Sequence, residues 1–256
     1  MLEARNISAW YDRFEVLRDV SFYLNGGTVM AILGPNGAGK TSLLKTLNRT
    51  LPVGYGEVLI DQRSLLDLSR REIAGKIAVV AQENETKFPI SVREFVLAGR
   101  FVHGGVFGWE DDEDVSQAAA ALDACDLGEF ADRMMSELSG GERQRAVFAR
   151  ALASGANVLL LDEPTSNLDL AHEGSMFRLV RKRCNELGHS AIAITHDLNL
   201  AAEFAESMML LHEGRVFAFG TPEDVLTTEN INAVYGVDVL LDRNPASGNV
   251  RITKLY

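Results

Sequence analysis

Short apolar runs alternate with amphipathic stretches along most of the chain, a pattern that predicts an α/β fold. Four of these runs are continuous, which is typical of strands buried on both faces of a parallel sheet. They are Val29–Leu33, Ile77–Ala81, Val158–Leu161 and Ala191–Ile194. Helical spacing elsewhere predicts helices at Thr41–Leu51, Gln117–Asp126, Arg143–Leu152, Glu173–Leu187 and Asn199–Glu206.

The two ends of the chain have a different pattern, which predicts antiparallel strands. Leu2–Ala9 and Val16–Leu24 partly alternate on either side of a turn at Asp12-Arg13. Towards the other end, strands are expected at Ser207–Leu211 and Arg215–Phe219, and a terminal hairpin is expected from Val237–Leu241 and Val250–Lys254.

A helix-rich segment separates the early strands from the later ones. We therefore expect one domain over residues 1–256, with an insertion. Residues 1–86 and 139–256 are predicted to form a mixed, mainly parallel core sheet and an N-terminal antiparallel β-subdomain. Residues 87–138 are predicted to form an inserted α-helical subdomain.

Charge narrows the range of partners. The 256 residues include 36 acidic and 25 basic side chains, which gives a formal net charge of −11. Residues 110–137 alone contain ten acidic residues against Arg133, and we interpret this run as a solvated helical face. The acidic balance argues against duplex nucleic acid as a partner. The sequence shows no secretion signal and no apolar run long enough to span a bilayer, so membrane association is expected to require a partner.

A glycine-rich loop follows the first continuous apolar run, Val29–Leu33. Gly34-Pro35-Asn36-Gly37-Ala38-Gly39-Lys40-Thr41 matches the pattern GxxxxGK[ST] and leads into a predicted helix. Glycines let the backbone amides turn towards phosphate oxygens, Lys40 adds a full positive charge, and the Thr41 hydroxyl can bind Mg²⁺. This loop predicts a nucleotide phosphate site.

A pair of carboxylates ends another apolar strand. Asp162 and Glu163 follow Val158–Leu161, where open α/β sheets bind ligands. Asp162 suits hydrated Mg²⁺, and Glu163 is placed to orient or deprotonate a water. Ser139-Gly140-Gly141, upstream of this pair, opens a predicted helix and forms a second anion-binding terminus. One nucleotide does not need two such termini, so we expect this one to serve ATP bound mainly by another copy of the chain.

With these motifs in order, the chain resembles an ATP-binding cassette (ABC) ATPase of the P-loop NTPase fold over nearly its whole length. The Walker A loop ends at Gly39-Lys40-Thr41, the signature is Leu138–Gln144, and the Walker B strand ends at Asp162-Glu163. Ser166-Asn167-Leu168-Asp169 resembles the D-loop. Gln82 and His196 match the Q-loop glutamine and the switch histidine, and Tyr11 resembles the aromatic residue that stacks on adenine.

The resemblance implies roles for individual residues. Glu163, His196, Lys40 and Gln82 are expected in catalysis, and Asp169 is expected to organise the dimer interface. The magnesium ligands are expected to be Thr41, Gln82 and Asp162. ATP is expected to contact Tyr11, Gly34, Pro35, Asn36, Gly37, Ala38, Gly39, Lys40, Thr41, Ser42, Ser139, Gly140, Gly141 and Asp169.

Finer resemblance favours transport. Phe88–Glu94, Ala98–His103, Phe107-Gly108-Trp109 and Asp197–Ala202 resemble ATPases of importers for iron–siderophore complexes, haem and cobalamin, although Val102 replaces a proline usual in that group. The resemblance implies a homodimer that binds a polytopic permease through Gln82–Arg100 at the cytoplasmic face of the inner membrane, supplied by a substrate-binding protein. A soluble cassette of the iron–sulfur cluster assembly type, and a transporter for another substrate, remain alternatives.

Overall fold

The computed structural model describes residues 2–81, 89–103, 111–165, 168 and 170–255. In these residues, the strands in chain order are β1 (Leu2–Tyr11), β2 (Phe14–Leu24), β3 (Val29–Leu33), β4 (Tyr55–Ile60), β5 (Arg63–Ser64), β6 (Ile77–Val80), β7 (Val158–Asp162), β8 (Ser190–Ile194), β9 (Ser207–His212), β10 (Arg215–Gly220), β11 (Val239–Arg243) and β12 (Val250–Lys254).

The α-helices of the same ranges are α1 (Lys40–Leu47), α2 (Arg70–Lys76), α3 (Val92–Leu97), α4 (Asp112–Ala124), α5 (Gly140–Ala153), α6 (Leu170–Leu187), α7 (Leu198–Phe204), α8 (Pro222–Val225) and α9 (Thr228–Tyr235). A 3-10 turn at Ala98–Val102 follows α3 directly. The chain divides into two compact units. The terminal unit contains Met1–Asp67 and Arg183–Tyr256, and the central unit contains Leu68–Lys182.

The terminal unit contains two sheets and a hairpin. The first sheet is antiparallel, with strand order β2-β1-β4-β5. In the second, β3 pairs in parallel with both β8 and β9, and β10 adds to β9 in the antiparallel sense. All residues of β3 and β8 are buried, because both faces of this sheet are covered and their continuous apolar sequence leaves no polar face. The mixed sheet and the antiparallel β-subdomain agree with the prediction.

The central unit combines the parallel pair β6 and β7 with helices. Ser69, Ser91 and Ser139 begin α2, α3 and α5, and each forms a reciprocal capping box with a glutamate three residues later. Such a cap satisfies two backbone amides and defines where the helix starts. From residue 89 to residue 138 the described elements are helical apart from an isolated bridge between Ser91 and Met134. The division at residues 86 and 139 stays a prediction.

The acidic segment of the central unit is only partly a solvated face. Most of its described carboxylates are exposed, but Asp114 is buried and forms an ion pair with Arg100 at 2.8 Å. A second guanidinium nitrogen of Arg100 donates to the Ala153 carbonyl at the end of α5. The interpretation of this run as solvent-facing was therefore wrong for Asp114, because burial on the inner face of α4 gives that carboxylate a structural partner.

Candidate nucleotide-binding site

The predicted phosphate loop lies in the terminal unit between the buried strand β3 and helix α1. Gly34 and Gly39 have φ angles of 145° and 103°, which side-chain-bearing residues rarely adopt. A Cβ atom at Gly34 would lie 2.2 Å from the Leu211 carbonyl oxygen, and one at Gly39 would lie 2.8 Å from the Val16 carbonyl oxygen. Glycine is therefore required at both positions by conformation and by space.

Lys40 begins helix α1 and is 7% exposed. Its Nζ donates hydrogen bonds to the carbonyl oxygens of Gly34 at 2.7 Å and Pro35 at 3.0 Å. These bonds hold the ammonium group against the backbone of the loop, next to the positive end of the α1 dipole. A full charge, a helix N-terminus and a glycine-rich turn thus meet in one place, which is the arrangement that binds phosphate.

Two further predicted residues flank this loop within the terminal unit. Tyr11 ends β1 with 41% of its surface exposed, and the Nζ atom of Lys45 on α1 lies 6.0 Å from its ring centroid. His196 is exposed and lies two residues after the end of β8. The Asp197 amide donates to the hydroxyl of buried Thr195, and the Asp197 carboxylate accepts the amides of Asn199 and Leu200. These bonds define the backbone on both sides of the histidine.

The central unit carries the two predicted carboxylates. Asp162 is the last residue of buried strand β7 and is 8% exposed. Glu163 follows it in the left-handed region, with φ 49°. Such a conformation is uncommon for a residue other than glycine and occurs at functional sites. This conformation turns the chain sharply at the end of β7. Asp162 and Glu163 therefore do not follow the alternation of side chains that a continued strand would impose.

The signature segment forms the start of α5 in the same unit. The Ser139 hydroxyl accepts the Glu142 amide at 3.3 Å, and the Glu142 carboxylate accepts the Ser139 amide at 2.7 Å. Hydrogen bonding to Ser139 lowers the pKa of Glu142. The Ser139 hydroxyl itself donates to this carboxylate and is the largest cause of the lowered pKa, so its proton is used within the cap. Gly140 has no atom within 4 Å of where a Cβ would lie, so its approach side is open.

Some predicted residues lie outside the described residues. These are Gln82, Ser166, Asn167, Asp169, Phe88 and Phe107-Gly108-Trp109. Of the predicted permease surface Gln82–Arg100, the structure describes Pro89 onwards, including α3. Phe101, just beyond it, is 81% exposed.

One contact of the phosphate loop had no sequence prediction. Burial raises the pKa of Tyr235 to about 12, and a hydrogen bond with the Gly34 backbone opposes that rise. A bond that lowers a phenol pKa is donated to its oxygen, so the Gly34 amide is the donor. Tyr235 ends α9, a helix for which no expectation was made. Two features of the sequence indicate this helix. The Thr227 side chain caps its start by accepting the Asn230 amide, and Gly236 ends it in a left-handed conformation.

A glycine-rich loop between a buried parallel strand and a helix, with its lysine at the helix start, defines a P-loop nucleotide-binding protein. The sequence profile described as ABC transporter matches residues 17–166. The chain therefore belongs to the ABC transporter family. It is an ATP-binding and ATP-hydrolysing cassette of that family.

Relatives of known name match almost the full chain. The hemin import ATP-binding protein HmuV of Hahella chejuensis is 39% identical, over 96% of this chain and 97% of that protein. HmuV of Myxococcus xanthus is 41% identical, over 96% and 94%. The ferric enterobactin transport ATP-binding protein FepC of Escherichia coli is 33% identical, over 99% and 94%.

Solved structures show the same fold. A transporter described as metal-chelate type, in an inward-facing conformation, aligns with a TM-score of 0.86 and 31% identity, over 100% of this chain and 97% of that chain. A dimeric bacterial ABC transporter cassette aligns with a TM-score of 0.78 and 29% identity, over 87% and 99%. Within the ranges that the structure describes, no helix is long and apolar enough to cross a membrane.

Proposed function

We propose that this chain drives the import of an iron compound, haem or a ferric siderophore, by hydrolysing ATP on the cytoplasmic face of the inner membrane. One observation carries the proposal. Proteins named for hemin import and for ferric enterobactin transport each match more than nine-tenths of this chain and of their own length. The ABC transporter profile ends at residue 166. The similarity to these importer proteins continues past that residue, so it includes segments that the general profile does not cover.

Lys40 and the loop amides are the proposed ligands of the β- and γ-phosphates. The ammonium group is held at the loop by two carbonyl oxygens, so little side-chain entropy is lost when a phosphate binds. Tyr11, half-exposed beside α1, supplies a flat face for the adenine ring. Ser42, in the first turn of α1, is included in the phosphate contacts.

The proposed magnesium ligands are the Thr41 hydroxyl, the Asp162 carboxylate and Gln82. A hydroxyl at a helix start and a buried carboxylate at a strand end suit the oxygen preference of Mg²⁺. When bound, the ion offsets phosphate charge during the transfer. Glu163 is the proposed group that orients and deprotonates the attacking water, and His196 is proposed to steady that water and the γ-phosphate.

A second copy of the chain is proposed to complete the reaction. Ser139, Gly140 and Gly141 would bind the γ-phosphate of the ATP held by the facing copy, with Asp169 at the interface. The position of Gly140 and Gly141 at the N-terminus of α5 and the open side of Gly140 support this role. ATP then favours the closed homodimer and hydrolysis releases it, which a partner can use as motion. That partner is proposed to be a polytopic permease bound at Gln82–Arg100 and supplied by a substrate-binding protein.

Co-expression and uptake test this function together. We expect the chain to co-purify with a polytopic permease, and vesicles containing both to hydrolyse ATP faster when haem or a ferric siderophore is presented with its binding protein. Glu163→Gln should keep the complex and abolish uptake, whereas Asp132→Asn, an exposed carboxylate, should leave uptake unchanged. Recovery with a soluble scaffold, or stimulation by cobalamin alone, would contradict the proposal.

A further inference from the structure

The terminal hairpin of β11 and β12 is attached to helix α7 by a cluster of hydrogen bonds at its turn. The Glu203 carboxylate on α7 accepts bonds from Asn244 at 2.7 Å, Ser247 at 2.8 Å and Asn249 at 3.2 Å. All three donors belong to the turn that joins the strands of the hairpin. Bonds to an ionised acceptor are stronger than neutral ones, so this single carboxylate is the main polar anchor of the turn.

A second attachment lies one helical turn earlier. The Asn199 side-chain amide donates to the Ile252 carbonyl oxygen at 3.1 Å, and its oxygen accepts the Ile252 amide at 2.7 Å. Asn199 therefore pairs with the backbone of β12 as a neighbouring strand would. Because Asn199 and Glu203 are four residues apart, they lie on the same face of α7. This face is held against the hairpin at two points.

Helix α7 begins at Leu198, two residues after the proposed switch residue His196. The Asp197 carboxylate caps the helix by accepting two of its first amides, so the backbone that carries His196 is continuous with the helix. Ala201, Ala202 and Phe204 form the buried face of α7. A rotation of α7 on this small apolar base would move the histidine with it.

Packing leaves room for such a rotation. A cavity of about 700 Å³ lies within the terminal unit, lined in part by His196, Leu198, Tyr235, Val239 and Ile252. Side chains of the hairpin and of α9 thus do not fill the space beside the switch segment. Directional hydrogen bonds restrain α7 from this side.

We propose that Asn199 and Glu203 are positioning residues, which use the terminal hairpin to hold α7 and thereby His196 in the geometry needed for hydrolysis. The inference rests on the proposed role of His196. The hairpin lies outside the segment 17–166 that the family profile matches. It acts as an added support for a catalytic loop.

Steady-state ATP hydrolysis by the purified full-length chain tests the proposal. Glu203→Ala and Asn199→Ala should lower kcat about 10- to 100-fold, because small displacements of a catalytic group have effects of that size. The KM for ATP should stay within about twofold, since the phosphate loop is unaltered. Both residues lie at or near the surface, so the variants are expected to fold, which their melting temperatures will report.

The same hairpin offers a matched control. Arg251 and Asp242 pair across its outer face at 2.7 and 2.6 Å, so Asp242→Asn removes a charged contact of similar strength that does not reach α7. Its kcat should equal that of the wild type. Ser247→Ala, in the exposed turn, should lower kcat less than Glu203→Ala and add little to it in the double variant, because the two residues share one bond.

A double variant that combines Glu203→Ala with His196→Ala separates the inference from the proposed function. If His196 acts in hydrolysis, His196→Ala lowers kcat, and Glu203→Ala should lower it no further in that background. Wild-type kcat in His196→Ala alone would contradict the proposed function. A low kcat in His196→Ala with wild-type kcat in Glu203→Ala and Asn199→Ala would overturn only the positioning role. An equal loss of kcat in Asp242→Asn would also overturn it.

Discussion

Replacing Asp114 by alanine should destabilise the central unit strongly, because the change leaves the Arg100 guanidinium buried without its carboxylate. The two side chains are 7% and 11% exposed, and they are joined at 2.8 Å. Removing one partner of a buried pair costs about 3–5 kcal/mol. The lower end of that range applies here, since Arg100 keeps its hydrogen bond to the Ala153 carbonyl. Asp114→Asn, which retains an acceptor oxygen, should cost less.

A second ion pair in the same unit provides the control. Arg93 and Asp132 are joined at 3.0 Å, but their side chains are 48% and 88% exposed. Water screens such a pair, so Asp132→Ala should cost less than about 1 kcal/mol. For a chain of this size, about 3 kcal/mol corresponds to a fall in Tm of about 6–12 °C. Thermal unfolding followed by circular dichroism measures both variants, and equal shifts for Asp114→Ala and Asp132→Ala would contradict a stronger contribution from the buried pair.

Three further changes test other parts of the structure. Gly34→Ala should abolish ATP binding or folding, whereas Gly37→Ala should be milder. Both positions have a positive φ, but of the two only Gly34 would also bring a new Cβ against a backbone carbonyl; comparable ATP affinities would contradict this. Tyr235→Phe should lower unfolding free energy by about 1–2 kcal/mol, because the Gly34 amide loses a buried acceptor; unchanged denaturant stability would argue against that bond. Burial raises the pKa of Cys184 from 9.0 to about 12, so its contribution to stability is complete below pH 9 and is lost as pH rises towards 12. Cys184→Ala should therefore flatten the decline of stability in that window, and an unaltered slope would refute the assignment.

The buried strands were predictable from sequence because their environment leaves no polar face. Val29–Leu33 agrees with the observed bounds of β3, and the other three continuous runs differ from the observed strands by one residue at one end. The helix expected at Thr41–Leu51 ends earlier, at Leu47. Asn48 terminates it, and Arg49 adopts a left-handed φ of 60°. The helical spacing of apolar residues continues past Asn48 because Leu51 is also buried, although it lies outside the helix.

The site was predictable where a motif reports its own backbone geometry, as in the phosphate loop and the Ser139 cap. It was not predictable where function depends on contacts between distant segments. The Gly34–Tyr235 contact and the attachment of Glu203 to the turn after β11 each join positions more than 40 residues apart. Neither residue type is unusual in its local sequence, so no local signal marked them.

The most direct test of the account is the oligomeric state of Glu163→Gln with Mg²⁺-ATP, measured by sedimentation velocity beside its rate of hydrolysis. Loss of a general base should reduce kcat by about 10²–10⁴-fold. The bound ATP should then persist between two copies, and we expect a stable dimer that dissociates when ATP is removed. A variant that hydrolyses ATP at the wild-type rate, or that remains monomeric with saturating ATP bound, would contradict the central claim that two copies of this chain close on ATP and Glu163 releases them.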